Sequence, residues 1–270
     1  MKQPDSHPLE FATLLCERPE LGVLVVKLNR PDCANALNTQ MSRDVLALFA
    51  AILLQPGAIR CVVLTGVGQR AFCAGGDLKE RDGMSDQAWL EQHVVFEQAF
   101  RAVMECPVPV IAAVNGAAYG GGCELALACD FIYAGESARF AQTETRLGIT
   151  PGAGGTQNLP RAVGAARAKE LIYSATAFDA HQAFAWGMVN KVVPDQELAA
   201  ETLATARAIA ANAPVAVRQA KGAITNGLEV DRRTGLMIEI AAYNQTVPTA
   251  DRREGIRAAL ERRPPKFTGS

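Results

Sequence analysis

Two patterns of apolar positions alternate along this chain, and they predict its layers. Cys61-Val62-Val63-Leu64-Thr65 and Val110-Ile111-Ala112-Ala113-Val114 are apolar runs without polar alternation, the pattern of strands covered on both faces. Phe11 to Glu17 and Val23 to Leu28 read as a strand pair joined across Pro19-Glu20-Leu21-Gly22, and Asn29-Arg30-Pro31-Asp32 then breaks the pattern. Met41, Val45, Leu48 and Ile52 recur at helical spacing, so a helix is expected from Thr39 to about Gln55-Pro56-Gly57. A second helix is expected from Ser85 to Glu105, with Trp89 and Phe96 among its apolar positions, stopped by Cys106-Pro107-Val108-Pro109. Phe131-Ile132-Tyr133-Ala134 is a further strand, and Ala138-Arg139-Phe140-Ala141 reads as a short return from it. Strands alternating with helices imply a layered α/β architecture with right-handed crossovers.

From Ala165 onward the pattern is nearly all helical. Asp179 followed by Gln182 is an N-terminal cap signal, and Gly187 a stop. Helices are expected at about Glu197 to Asn212, Pro214 to Asn226, Glu229 to Tyr243 and Asp251 to Arg262. The chain therefore divides into an α/β core over 1–200 and a helical region over 201–270, suited to packing on a neighbour.

Composition narrows the partners. At 270 residues the chain can bury a full core, and a net charge of −1 gives no bulk attraction to nucleic acid or an anionic membrane. Its seven cysteines include no Cys-x-x-Cys pair, which suits small buried hydrophobes in a reducing compartment. The three histidines, His7, His93 and His181, are far apart in sequence, which argues against a metal site or a histidine triad. No apolar run has the length of a membrane span, and Met1 to Glu10 carries neither a signal-peptide core nor a transit pattern. A cytoplasmic location is expected.

The chemistry is expected between Asn115 and Glu144. There a buried strand runs into Gly120-Gly121-Gly122 and then into the helix-forming Cys123-Glu124-Leu125-Ala126-Leu127-Ala128. Bare glycine backbone at a helix start offers unpaired N–H donors at the positive end of the dipole, a site for an oxygen that becomes negative. By itself Glu124 would be ordinary charge complementarity in a first helical turn, and Glu144 a solvated loop charge; the glycines point to function. Ala74-Gly75-Gly76-Asp77 presents bare backbone a second time, where a tight turn with an Asp cap is the plain alternative. Pro151-Gly152-Ala153-Gly154-Gly155-Thr156 is a third such place, read as close backbone packing or another helix start. Gly66-Val67-Gly68-Gln69-Arg70-Ala71 follows a strand but runs on into the loop-like composition of Phe72-Cys73, which argues against a dinucleotide site.

In their order and spacing, Phe72-Cys73-Ala74-Gly75-Gly76-Asp77-Leu78, Gly120-Gly121-Gly122-Cys123-Glu124-Leu125-Ala126, Gln142-Thr143-Glu144 and Pro151-Gly152-Ala153-Gly154-Gly155-Thr156-Gln157 resemble the enoyl-CoA hydratase (crotonase) family. The resemblance covers essentially the whole chain. It implies a spiral of β-β-α units with a C-terminal helical trimerisation region, assembled as a homo-trimer or hexamer. It implies an acyl-CoA substrate, with coenzyme A as part of that substrate and no separate cofactor or metal. Carried over, the oxyanion hole is the pair of backbone N–H groups of Gly76 and Gly121, and such a donor contributes roughly 3–4 kcal/mol to the barrier. Glu124 and Glu144 match the family's two catalytic glutamates, Glu124 deprotonating water and Glu144 protonating C2, with one of the pair kept protonated near neutral pH.

Two glutamates favour hydration over the isomerase reading, since the family's isomerases typically manage with one carboxylate. CoA contacts are expected from Ala36, Ala74, Gly75, Asp77 and Leu78. A lysine often found after the Arg-Pro of the first strand is Asp32 here, and Arg262 of a neighbouring subunit is the candidate replacement. Leu78-Lys79-Glu80-Arg81, Ala168-Lys169-Glu170-Leu171-Ile172 and the tail from Thr249 to Phe267 look most like the methylglutaconyl-CoA hydratase branch, beside a short-chain enoyl-CoA reading. A carboxylated substrate would need a cation, with Lys79, Arg81 or Arg146 as the options. That branch also brings an RNA-binding reading, but acidic and apolar residues dilute Arg161, Arg167 and Lys169, so nucleic acid is not the expected partner.

Overall fold

A computed structural model of the chain describes residues 10–270; residues 1–9, with His7 and most of the stretch read for targeting patterns, lie outside the described residues. β1 (Leu14–Glu20) and β2 (Val23–Leu28) pair antiparallel with a bulge between Glu17 and Glu20. The first strand thus starts later than Phe11 and runs on through Pro19, because the bulge accommodates a residue with no N–H to donate. α1 (Thr39–Leu54) starts at Asn38, whose side chain accepts from the Met41 N–H, and buries Met41, Val45, Leu48, Phe49 and Ile52. β3 (Cys61–Gly66) then lies parallel to β2.

Phe72 and Cys73, expected in a loop, belong to a short strand, β4 (Ala71–Cys73), that is completely buried. Three residues are too few to show a period; pairing with a later strand is what makes them a strand. The one-turn α2 (Leu78–Arg81) and the long α3 (Asp86–Met104), capped by Ser85, follow. Next come β5 (Val110–Val114), β6 (Ala117–Tyr119) and α4 (Gly121–Leu127). β7 (Phe131–Gly135) is followed by β8 (Arg139–Ala141), which does not return along β7 but joins a second sheet, parallel to β6.

α5 (Gly155–Val163) and α6 (Ala165–Ser174) follow, packed on each other, and the nearly all-helical expectation then needs correction. β9 (Phe178–Asp179) precedes α7 (Ala180–Ala185), whose capping box joins Asp179 and Gln182, and β10 (Lys191–Val193) extends the large sheet beside β7. α8 (Leu198–Ala210) packs on the large sheet through Leu198, Ala206 and Ala210. α9 (Pro214–Gly227), α10 (Arg232–Thr246) and α11 (Ala250–Leu260) complete the chain.

The large sheet has six strands in the order β1-β2-β3-β5-β7-β10, and the small one four in the order β4-β6-β8-β9. β3 then β4, β5 then β6, and β7 then β8 each place one strand in either sheet before a helix carries the chain onward. This repeat is the β-β-α spiral, and three successive turns of it lay β4, β6 and β8 side by side and parallel. Phe49, Phe72, Phe100 and Phe140 are completely buried in the core, with Leu24, Leu64 and the β5 residues.

Candidate active site

The three parallel strands of the small sheet aim their carboxyl ends at one place, where open α/β layers generally bind ligands. β4 leads into Ala74-Gly75-Gly76, β6 into Gly120-Gly121 and β8 into Gln142-Thr143-Glu144. They border a cavity of about 430 Å³, lined on its polar side by Gly76, Gly121, Glu124 and Glu144.

Two backbone donors meet there. Gly76 pairs with Leu37 as an isolated bridge, in which Leu37 N–H donates to Gly75 O and Asp77 N–H to Leu37 O, both at 2.8 Å. The bridge therefore uses the residues flanking Gly76, and among the described residues the Gly76 N–H has no acceptor. Gly121 opens α4, so its N–H is one of the unpaired first-turn donors. A Cβ built on Gly121 would stand 3.8 Å from Gly76 N and 3.3 Å from Leu37 Cδ1, so the two amides are neighbours with little room for a side chain. Gly120 holds the turn at φ 49°, ψ −122°, which glycine alone adopts cheaply.

The two carboxylates flank these donors in different surroundings. Glu124 is 3% exposed, and its Oε1 accepts from the N–H groups of Ala153 and Gly155, each at 2.8 Å. The glycine-rich turn thus serves as both things expected of it, a close packing of backbone and the start of α5. Burial raises the Glu124 pKa, against those two amides and the positive fields of His93 and Arg81. At Glu144 the buried Oε2 lacks a partner, and a Cβ on Gly120 would lie 3.1 Å from Oε1. Burial first, and then the charge of Glu124, push the Glu144 carboxyl up to about 7.

Of the expected CoA contacts, Ala74, Gly75 and Leu78 line the cavity. Ala36 is buried and turns its carbonyl to Arg30 Nη1 at 2.6 Å. The Asp77 carboxylate is engaged elsewhere, paired with Arg30 at 2.8 Å and capping α2. Arg262 is exposed beyond the end of α11, outside the cavity lining, with φ 52°. Lys79 and Arg146 are exposed and outside that lining as well, whereas Arg81 is part of it. Sequence reasoning missed His93, Phe100 and Thr143, which also face the cavity. A signal for His93 existed: it stands one helical turn after Trp89 and three residues before Phe96, on the same face of α3.

Much of the rest of the lining is apolar, including Trp89, Leu90, Phe96, Phe100 and Ile149. An apolar pocket ending at two backbone donors and two buried acids suits an acyl group whose carbonyl oxygen gains charge while a proton moves nearby.

Residues 18–270 match the family described as enoyl-CoA hydratase/isomerase. The chain is 43% identical over 261 residues to the human mitochondrial methylglutaconyl-CoA hydratase, covering 94% of this chain and 76% of that one. It is 39% identical over 259 residues to the crotonyl-CoA hydratase of Syntrophomonas wolfei, covering 96% and 99%. The crystal structure of enoyl-CoA hydratase from Bacillus anthracis superposes with a TM-score of 0.94 at 44% identity, over 96% of this chain and all (100%) of that one. With the profile covering nearly the whole chain, the spiral fold and the paired amides in agreement, this protein belongs to the enoyl-CoA hydratase/isomerase family.

Proposed function

We propose that Gly76 and Gly121 hold the thioester oxygen of a 2-enoyl-CoA while Glu124 and Glu144 hold the water that adds to it. The protein is an enzyme of the enoyl-CoA hydratase type and acts on 2-enoyl-CoA thioesters. Water oxygen attacks C3 and gives its proton to Glu124; the double-bond electrons move through C2 onto the thioester oxygen, between the two N–H donors. The enolate then collapses and C2 takes the proton of Glu144, leaving a 3-hydroxyacyl-CoA. Proton exchange between the two acids and solvent restores the starting state.

The observation that carries this assignment is the unequal footing of the acids. Burial raises both carboxyls, but at Glu124 two backbone N–H groups oppose it by favouring the ionised form, which suits a base, whereas the charge of Glu124 adds to burial in pushing Glu144 up to about 7, which suits an acid. The test is the loss of conjugated-enone absorbance on mixing the protein with crotonyl-CoA. Glu144→Gln should lower that rate about 10²–10⁴-fold while acyl-CoA binding persists. Turnover close to wild type in the variant would sink the assignment.

The acyl group is short, a reading supported by the cavity of about 430 Å³ with Trp89, Phe96 and Phe100 in its lining. Crotonyl-CoA and 3-methylglutaconyl-CoA are the two substrates to compare, and the ratio of their kcat/KM values names the branch. The adenosine end lies along Ala36 and Ala74, with Arg262 from a neighbouring subunit reaching its phosphates. That contact requires the homo-oligomer, a trimer or a pair of trimers, built on the apolar faces that α9 and α10 leave exposed.

A further inference from the structure

We propose that Arg81 reads an anion on the acyl group, so that the preferred substrates are short 2-enoyl-CoA thioesters ending in a carboxylate. The inference rests on the hydratase reading above and adds the residue that sets its specificity.

Arg81 is held in place on three sides. Its guanidinium carbon lies 4.5 Å from the ring centre of Trp89 and 5.0 Å from that of Phe96. Its Nε donates to Gln92 Oε1 at 2.9 Å. Gln92, 5% exposed, is itself fixed: its amide donates to Thr39 Oγ1 at 2.9 Å and to Glu80 Oε2 at 2.8 Å. The same Glu80 oxygen accepts from the Thr39 N–H, so that neighbouring acid is already occupied, and Asp82, on the other side in sequence, makes no ion pair with Arg81.

The rest of the guanidinium has no partner. Among the described residues no carboxylate stands within ion-pair distance of Arg81, and neither Nη donates to a protein acceptor. Withdrawing a cation from water without a counter-ion is costly, and burial does lower the Arg81 pKa against the fields of Glu80, Glu124 and Glu144. The glutamate pair does not supply the counter-ion: Glu124 Oε1 is bound to two amides, and Glu144 serves as the protonated acid. The open edge of the guanidinium borders the cavity, since a Cβ on Gly76 would lie 3.0 Å from Nη1. A planar fork of donors, braced from behind and open in front, matches a carboxylate in geometry as well as charge. Because that fork adjoins the amide proposed for the thioester oxygen, the carboxylate it meets is only a few carbons from C1.

The experiment is calorimetric titration with glutaryl-CoA and pentanoyl-CoA, saturated ligands of equal chain length that differ at the terminal group and cannot be hydrated. Wild type should bind glutaryl-CoA about tenfold or more the tighter. Arg81→Met should weaken glutaryl-CoA by about tenfold or more and pentanoyl-CoA by less than about threefold. Gln92→Leu, which frees Nε, should reduce the preference in part, and Lys79→Met should keep it. Equal wild-type affinities, or an equal weakening of both ligands by Arg81→Met, would overturn the proposal. Hydration of crotonyl-CoA and of 3-methylglutaconyl-CoA measured on the same samples separates the two readings. No hydration of either with the glutaryl preference intact refutes the hydratase and leaves the anion site; hydration of either without the preference refutes the anion site alone.

Discussion

Glu144 keeps its proton into the neutral range because its carboxyl is buried beside Glu124, which lifts its pKa to about 7. In the proposed hydration Glu144 must be protonated, so kcat/KM should fall as pH rises through about 7, and the Glu144→Gln residual rate should lack that limb. The same shift links pH to stability. Below about 4.5 the carboxyl is protonated in both folded and unfolded chains; between there and about 7 the unfolded chain releases the proton first, so Glu144 makes the fold less stable as pH rises, levelling off above. Glu144→Gln removes that cost, so thermal unfolding should show it stabilised relative to wild type at pH 8 and little changed at pH 4. A variant equally shifted at both values would mean that the side chain contributes by packing alone.

At the scale of elements, the site is a matter of how closely β4 and α4 approach. A Cβ on Gly122 would lie 2.0 Å from the Cys73 carbonyl oxygen, closer than any contact allows, so the helix that carries Gly121 and Glu124 sits directly on the strand that leads to Gly76. Gly122→Ala must push the two apart. It should lower stability by about 2 kcal/mol or more in denaturant unfolding and reduce hydration further than the stability loss explains, because both oxyanion donors move. Full activity in a destabilised Gly122→Ala protein would show that the donors do not depend on this contact. The loop before α1 is fixed by a similar economy: Asn35, 1% exposed and at φ 55°, donates to the carbonyls of Val67 and Ala71 and accepts from the Arg30 N–H. Those bonds hold Leu37 against Gly76.

For the whole molecule, α10 buries none of its side chains within the chain, and Leu236, Met237, Ile240 and Tyr243 are all exposed on it. α9 packs against it through the close approach of Gly227 and Gly235, leaving Ile224 and Leu228 exposed too. The proposed oligomer covers this apolar surface, so light scattering should give the mass of a trimer or a multiple of three. Ile240→Glu should lower that mass and raise the KM for the CoA thioester, since Arg262 would lose its place on the neighbour. A monomeric wild type with an unchanged KM in the variant would remove both statements. Much of this molecule was legible in local pattern. The strands at Cys61 and Val110, the helices from Thr39 and Asp86, the Asp179 cap and the glycine cluster ahead of Glu124 are set by side-chain period and backbone preference, which act over a few residues. β4, β6 and β9 are too short to carry a period, and β8 was legible only as a strand, without its sheet; they owe their state and place to partners far along the chain. The pocket was divided in the same way. Glycines and acids mark their own positions, but whether Asp77 faces a ligand or Arg30, whether Glu144 is solvated or buried, and which of three cations reaches the cavity depend on burial and on neighbours distant in sequence, and only the tertiary structure decides those.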